Sequence, residues 1–73
     1  MAKAYVMMNC DLGEEKNIVA SLEKIDGIKE AHGTLGLYDI VAQIESTTEE
    51  KIQEIVTKQI RLIGHQHNII IFA

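Results

Sequence analysis

The sequence has very little cysteine, and this limits the kinds of small protein that it can encode. Cys10 is the only cysteine among the 73 residues. Because a disulfide needs two thiols, none can form within the chain, and a zinc site built from several cysteines is excluded as well. An unpaired thiol suits a reducing compartment. The sequence therefore predicts a cytoplasmic protein without covalent cross-links.

Long apolar runs, basic clusters and proline are also missing. No segment approaches the roughly 18 to 20 consecutive apolar residues of a membrane span, and the opening MAKAYVMMNCDLGEE lacks the pattern of a signal peptide. The net charge is −4 and the seven basic residues are scattered, so we expect no direct binding to nucleic acid or to a membrane. No linker divides the chain, which indicates one domain.

Aliphatic residues dominate what is present. Apolar residues make up 47% of the chain, although only two tyrosines and one phenylalanine are aromatic. A chain this short buries only about 60% of the surface that its unfolded form exposes, so a lone core is marginal. Small domains without cross-links often gain stability by association. We therefore expect an apolar surface that a second copy covers.

The first half of the chain predicts a strand, a helix and a strand. Residues 3–10 carry apolar groups on both faces, as in a strand that is covered on both sides. Asp11 and Glu14 have the spacing of a helix N-cap and its capping-box partner. Residues 26–27 (Asp-Gly) end this helix, and residues 28–34 form the second strand. The apolar residues at helical spacing are Ile18, Leu22 and Ile25.

The second half repeats this order. Residues 39–45 alternate as a third strand, and residues 67–73 form a last, buried strand. Between them, Thr47 is the predicted N-cap of a second helix, with Glu50 three residues later. The apolar stripe of this helix consists of Ile52, Ile55, Val56 and Ile60.

The resulting order, β-α-β-β-α-β, is typical of the ferredoxin-like α+β plait. Both helices lie on one face of a four-stranded antiparallel sheet in this fold. The other face stays bare in a monomer, and large bare apolar patches are rare. We therefore predict a homodimer that packs sheet against sheet, as in a dimeric α/β-barrel.

Motifs for catalysis are absent from the sequence. It has neither a Walker-type phosphate loop nor a nucleophile elbow. Ser21 and Ser46 fall in a helix and a helix start, and Cys10 has no identifiable partner base. We expect no catalytic residue and no cofactor.

The three histidines suggest a metal site only weakly. His65 and His67 are two residues apart, so they would share one face of a strand, but a closed site needs three or four ligands. His32 falls on the strand predicted at the opposite edge and could join them only across a subunit boundary. We interpret all three as polar edge residues and predict no metal site.

The stretch HGTLGLYDIVAQIE, residues 32–45, contains the strongest candidate site. Gly33 and Gly36 permit positive φ and close backbone approach, and backbone N–H groups in such a turn can receive a carboxylate. Asp39 can receive an ammonium group, and Tyr38 can form a wall. These groups complement the two charged ends of an α-amino acid. The alternative is a hairpin turn whose glycines only satisfy backbone geometry, with Asp39 capping it.

The sequence also resembles a known family. The order of elements, the stretch LEKIDGIKEAHGTLGLYDIVAQIE and the closing segment resemble the effector-binding (RAM) domain of the Lrp/AsnC regulators of amino-acid metabolism. The motif residues are Gly27-Ile28 and then Gly36-Leu37-Tyr38-Asp39, which leads into the aliphatic strand at 40–44. The resemblance covers nearly the whole chain, and we expect residues 1–73 to form one domain of this type. It is to a stand-alone form, since the family's helix-turn-helix domain has no counterpart here, and Gln66 and Asn68 replace a frequent Thr-x-Thr pattern.

The resemblance implies a sheet-to-sheet dimer that associates further into tetramers or octamers. It also implies a small-molecule effector, usually an amino acid, bound between subunits near the loop that joins strands two and three. Without its own DNA-binding domain, the chain would affect transcription by co-assembling with a full-length Lrp/AsnC regulator. The implied effector-binding residues are His32, Thr34, Leu35, Gly36, Leu37, Tyr38, Asp39, Ser46 and Thr47.

Two other functions stay open at this point. A small cofactor-free monooxygenase of the dimeric α/β-barrel type would share the architecture, and it would need a pocket between helices and sheet lined by aromatics and a histidine or asparagine. A purely structural oligomer would need no pocket.

Overall fold

Four strands and two helices follow one another in the predicted order. The computed structural model describes residues 1–72, so Ala73, the last residue of the predicted final strand, lies outside the described residues. Every strand boundary within that range differs from its predicted position by at most one residue. The elements are β1 (Ala2–Cys10), α1 (Glu15–Glu23), β2 (Ile28–Gly33), β3 (Ile40–Ser46), α2 (Glu49–Ile55) and β4 (Gln66–Phe72).

The strands form one antiparallel sheet in the order β2-β3-β1-β4. This order and the two helices confirm the predicted ferredoxin-like plait. β2 and β4 are the two edge strands, as expected, so His32 on β2 and His67 on β4 lie at opposite edges of the sheet. Within residues 1–72, no helix has the length and the apolar character that crossing a membrane requires.

One face of the sheet and one side of each helix form the core. The alternating residues Ala4, Val6 and Met8 of β1 are buried, and the same alternation runs along β3. This confirms the period-two pattern of the strands and the apolar stripe of the second helix. The fully buried larger side chains are Val6, Met8, Ile18, Leu22, Ile40, Ile44, Val56 and Ile60.

Both predicted N-caps are wrong. The residue before α1 is Glu14 rather than the predicted Asp11, and the Glu14 side chain makes no cap hydrogen bond. The Asp11 carboxylate contacts His65 Nδ1 at 3.2 Å instead. α2 starts after Thr48 rather than Thr47. Thr48 has extended backbone angles, and its hydroxyl accepts a hydrogen bond from the Lys51 N–H at 3.1 Å.

The second helical segment widens after α2. Residues Val56–Ile60 form a π-helical turn, and Arg61–Ile63 form a 3₁₀ turn. The chain then reverses at Gly64 and His65, where both residues have positive φ. The uncertain helix end that the sequence predicts near residues 58–62 corresponds to this change of helix type.

Each edge strand carries an extra residue. Ile28 pairs with Ile44 and Glu30 pairs with the next residue of β3, so Lys29 is a bulge in β2. β4 likewise holds two residues opposite Met8 of β1, and one of them, Asn68, has a φ of 55°. Asparagine tolerates this left-handed conformation better than most residues.

The sheet face opposite the helices exposes apolar side chains. Met7 pairs with Val41 on one side and with Ile70 on the other, and Tyr5 pairs with Phe72. Tyr5 on the central strand β1 and Phe72 at the end of the edge strand β4 are 52% and 50% exposed. We call these five residues the open-face patch.

Candidate functional site

The loop of residues 34–39 joins β2 to β3 at one end of the sheet. β1 ends at the same place, because Met8 pairs with Ile40, and β4 begins there, because Cys10 pairs with Gln66. The loop therefore lies where three connections of the fold meet.

Asp39 holds the base of this loop in place. Its backbone oxygen accepts from the Thr34 N–H at 2.8 Å, and its N–H donates to the Met8 oxygen at 3.0 Å. Its carboxylate oxygen Oδ2 accepts from the Cys10 N–H at 2.9 Å. Asp39 therefore caps the end of β1, as the hairpin interpretation expected, and only its second oxygen is left to receive an ammonium group.

The two loop glycines, Gly33 and Gly36, do not have positive φ. Positive φ occurs at Gly13, Gly27 and Gly64 instead. A Cβ at Gly36 would lie 3.7 Å from Thr34 Oγ1, which is an ordinary contact. Gly33 and Gly36 therefore do not use the positive φ that glycine permits. The Gly36 N–H donates a hydrogen bond to Thr34 Oγ1 at 3.2 Å. Both groups lie on an exposed surface that a ligand can approach.

Two open depressions flank the loop. The first, of about 400 Å³, lies toward α1 and is lined by Glu15, Gly33, Thr34, Leu35 and Asp39. It places two carboxylates beside a hydroxyl, which suits an ammonium group. The second, of about 390 Å³, lies toward the open-face patch and is lined by Asn9, Leu37, Tyr38, Asn68, Ile69 and Ile70. Tyr38 lines this second depression.

This end of the molecule is electronegative. Burial raises the pKa of the Cys10 thiol, and the nearby carboxylates of Glu15, Asp39, Asp11 and Glu14 raise it further. A thiol with a raised pKa is a poor nucleophile at neutral pH, and the same carboxylates favour a cationic group near the loop.

The nine predicted effector residues separate into two groups. His32 lies on β2 directly before the loop, exposed and paired with Val41. Ser46 and Thr47 lie at the other end of β3. Six residues of extended strand put them roughly 20 Å from the loop, so a small ligand of one subunit cannot contact both groups.

The histidines do not form a metal site among residues 1–72, where no group of three metal-binding side chains is found. His65 lies in the turn before β4, with a φ of 61°, so it does not alternate with His67 along one strand as expected. Its contact with Asp11 joins two loops.

The grooves between helices and sheet differ from the aromatic-lined pocket that the alternative function, a small monooxygenase, would need. Three such grooves are described within residues 1–72, and none is lined by an aromatic side chain.

Five residues that line the depressions were not among the predicted site residues. Glu15 reads as part of a helix start, and Asn9, Asn68, Ile69 and Ile70 read as strand positions. Nothing local marks them, because they reach the loop only through the packing of α1, β1 and β4.

Comparison with known proteins adds independent information about the fold. No family model and no curated protein matches the sequence. Among solved structures, the hypothetical protein PHS023 from Pyrococcus horikoshii superposes with a TM-score of 0.92 and 24% identity, over 99% of this chain and 87% of that one. FFRP-DM1 gives 0.91 and 24%, over 99% and 96%.

AsnC from E. coli superposes with a TM-score of 0.88 and 18% identity over 96% of this chain. The chain has the fold of one half of AsnC. It spans 48% of the AsnC chain. At these identities the likeness to AsnC establishes the fold, and at that level the resemblance of the sequence to the Lrp/AsnC effector-binding domain is confirmed.

Proposed function

We propose that residues 1–73 are an effector-binding module of the Lrp/AsnC type, which binds an amino acid and thereby changes its own assembly. The observation that carries this proposal is the form of the β2–β3 loop. Its base is held by the three hydrogen bonds of Asp39, yet Leu35 and Leu37 at its tip are 106% and 92% exposed. A rigid loop with a fully exposed apolar tip is suited to contact another molecule.

The chemistry beside the loop supports an amino acid as the effector. The Glu15 carboxylate and the second Asp39 oxygen can receive its ammonium group. The Thr34 hydroxyl, whose oxygen accepts from the Gly36 N–H, can donate its own proton to the carboxylate of the effector, and Leu35 can contact an apolar side chain. The ammonium and the carboxylate are the two groups that every α-amino acid shares.

The open-face patch supports a dimer. Two copies that pack sheet against sheet cover Tyr5, Met7 and their neighbours, and the second loop depression adjoins this patch through Ile70. An effector bound at such a boundary between subunits stabilises one assembly over another by linkage. Tetramers to octamers follow if the loops of different dimers meet.

The module acts on transcription by co-assembling in the cytoplasm with a full-length Lrp/AsnC regulator. It is not an enzyme in this proposal. The raised pKa of the Cys10 thiol and the absence of aromatic residues from the helix–sheet grooves support this part.

Calorimetric titration of each proteinogenic amino acid tests the proposal, combined with sedimentation velocity with and without ligand. We expect one amino acid or a small group to bind and to shift the sedimentation coefficient. Absence of heat and of any size change with every amino acid would contradict the sensing function.

Gly36→Ala locates the site. The added methyl group makes only ordinary contacts within the subunit, so the melting temperature should stay unchanged while affinity falls at least about tenfold through lost backbone approach. Leu37→Ala should also weaken binding, and Leu62→Ala, an equally simple change at another exposed leucine, should not. Asp39→Ala is less useful, because it removes the anchor of the loop.

A further inference from the structure

Exposed leucines are concentrated at one end of the molecule, on the three connections that meet there. Leu12 lies on the β1–α1 turn and is 98% exposed, Leu35 and Leu37 form the tip of the β2–β3 loop, and Leu62 lies on the connection from α2 to β4. A single exposed leucine is common on a protein surface. Several that project from neighbouring connections indicate a contact surface for another molecule.

Hydrogen bonds hold the backbone beneath the β1–α1 turn. The Asp11 N–H donates to the His65 oxygen at 2.8 Å, and the Glu14 N–H donates to the Asp11 oxygen at 3.1 Å. Cys10, directly before the turn, donates its N–H to Asp39 Oδ2 and so ties the turn to the β2–β3 loop. The two connections therefore present their leucines from fixed neighbouring positions, which lowers the entropy that binding a partner would cost.

Four carboxylates are grouped around the same two connections. Burial raises the pKa of the Cys10 thiol, and all four carboxylates raise it further, so all of them lie close to the end of β1. They belong to Asp11, Glu14, Glu15 and Asp39.

These carboxylates are not neutralised by a neighbouring cation. Within residues 1–72, lysine and arginine side chains form ion pairs only with Glu45 and Glu54, away from this end. Asp11 contacts the ring of His65, and Lys16, the next residue after Glu15 in α1, forms no ion pair with any of the four. The negative charge at this end is therefore available to a partner.

Leu62 has a different charge environment, because Arg61 precedes it. We therefore restrict the surface to the leucines of the β1–α1 turn and the β2–β3 loop, with the carboxylates beside them. We call this the acidic leucine surface, which consists of Asp11, Leu12, Glu14, Glu15, Leu35, Leu37 and Asp39.

Charge decides which kind of molecule complements this surface. A second copy would bring its own carboxylates to the contact, and like charges that face each other are costly unless a cation lies between them. An anionic lipid surface would be repelled for the same reason. An amphipathic helix with a basic polar face supplies both an apolar stripe and the opposite charge.

We propose that the acidic leucine surface docks a basic amphipathic helix of another protein. The leucines contact the apolar stripe of that helix, and the carboxylates face the lysines and arginines that flank the stripe. This inference goes beyond amino-acid sensing and does not depend on it.

Fluorescence anisotropy of a labelled model helix, made only of leucine and lysine in an amphipathic pattern, tests the proposal with the full chain. A matched helix has glutamate in place of every lysine. We expect the lysine helix to bind at least about tenfold more tightly than the glutamate helix, and its affinity to fall as salt is added. No binding of the lysine helix, or equal binding of the two helices, overturns the proposal.

A pair of leucine variants locates the contact. Leu12→Ala should weaken binding of the lysine helix at least about fivefold through lost apolar contact, and its melting temperature should stay unchanged because the side chain is almost fully exposed. Leu62→Ala is the matched control and should bind the helix like the unmodified chain. An equal loss in both variants refutes the assignment of the surface.

A pair of charge variants tests the electrostatic part. Glu14→Gln, directly before α1, should weaken binding of the lysine helix about threefold at low salt. Glu49→Gln removes the same charge from the start of α2, at the other end of the molecule, and should have no effect. An equal loss in the two would attribute binding to overall charge and contradict the proposal.

Leu12 also separates this inference from the proposed function, because it lines neither depression beside the loop. Leu12→Ala should therefore leave amino-acid binding unchanged, and Gly36→Ala should leave binding of the lysine helix unchanged. A protein that binds the lysine helix and no amino acid supports this inference alone. A protein that binds an amino acid and not the lysine helix overturns this inference alone.

Discussion

Asp39 contributes a different chemistry from the one that its position in the motif suggests. In the sequence, an acidic residue after Gly36-Leu37-Tyr38 looks like a ligand for an ammonium group. In the structure, its N–H, its backbone oxygen and one carboxylate oxygen are all used within the subunit. Asp39 therefore mainly holds the loop in place. The attraction for an ammonium group is shared between its second carboxylate oxygen and the carboxylate of Glu15 from α1.

The Cys10 thiol should make stability depend on alkaline pH. Its folded-state pKa is raised above the ordinary value of 9.0, so above about pH 9 the unfolded chain loses this proton before the folded protein does. The free energy of unfolding should therefore be unaffected by Cys10 at neutral pH and fall as pH rises through that range. Urea unfolding from pH 7 to 10.5 measures the slope.

Cys10→Ala provides the comparison for this measurement. All other ionisable groups are common to both proteins, so the difference between the two pH profiles isolates the thiol. Parallel profiles would show that the thiol has the same pKa in both states, contrary to the prediction.

Single residues were predicted well where their role is local. The burial of Val6, Met8 and Ile18 follows from periodicity alone. The partner of Asp11 could not be predicted, because His65 is 54 positions away and competes with the helix N-terminus for the carboxylate. The φ of the loop glycines could not be predicted, because the sequence does not show whether a glycine uses the positive φ that it permits.

At the scale of elements, the start of α2 depends on one hydroxyl. Thr48→Ala removes the acceptor for the Lys51 N–H and should lower the free energy of unfolding by about 1 kcal/mol. Thr47→Ala should have little effect on stability, since Thr47 makes no cap. Urea unfolding of both variants decides between them, and an equal loss in the two would return the cap to Thr47.

Element order was predictable because strand and helix periods differ and each is carried by neighbouring residues. Adjacent threonines have the same side chain, so the sequence could not choose between Thr47 and Thr48. The π-helical turn at Val56–Ile60 was invisible for a related reason: apolar residues four apart fit an α-helix as well as a wider turn.

For the whole molecule, we expect the open-face patch to decide the state of assembly. Met7→Glu places a charge in the centre of the proposed sheet-to-sheet contact, where desolvation is costly. The dimer dissociation constant should rise at least about a hundredfold, while the core on the other face stays intact. Sedimentation equilibrium measures the change.

Gln53→Glu is the control for this variant, because it adds the same charge on an exposed position of α2. It should leave the assembly unchanged. A Met7→Glu protein that sediments like the unmodified chain would place the contact between subunits elsewhere.

The separation of the candidate site into two ends also belongs to this scale. Ser46 and Thr47 were grouped with the loop because the resemblance to the family extends along the whole of β3. Distance along a strand of known length already sets them roughly 20 Å away, but which cavity they line depends on how α1 and α2 pack.

The bulges at Lys29 and Asn68 have a consequence for solubility. The last strand contains the run NIIIF, an uncharged aliphatic segment of the kind that forms fibrils when its edge is free. Because both outer strands are interrupted, neither offers a regular row of amides on which a further strand could be templated. We therefore expect that straightening β4 would make association through this strand edge easier.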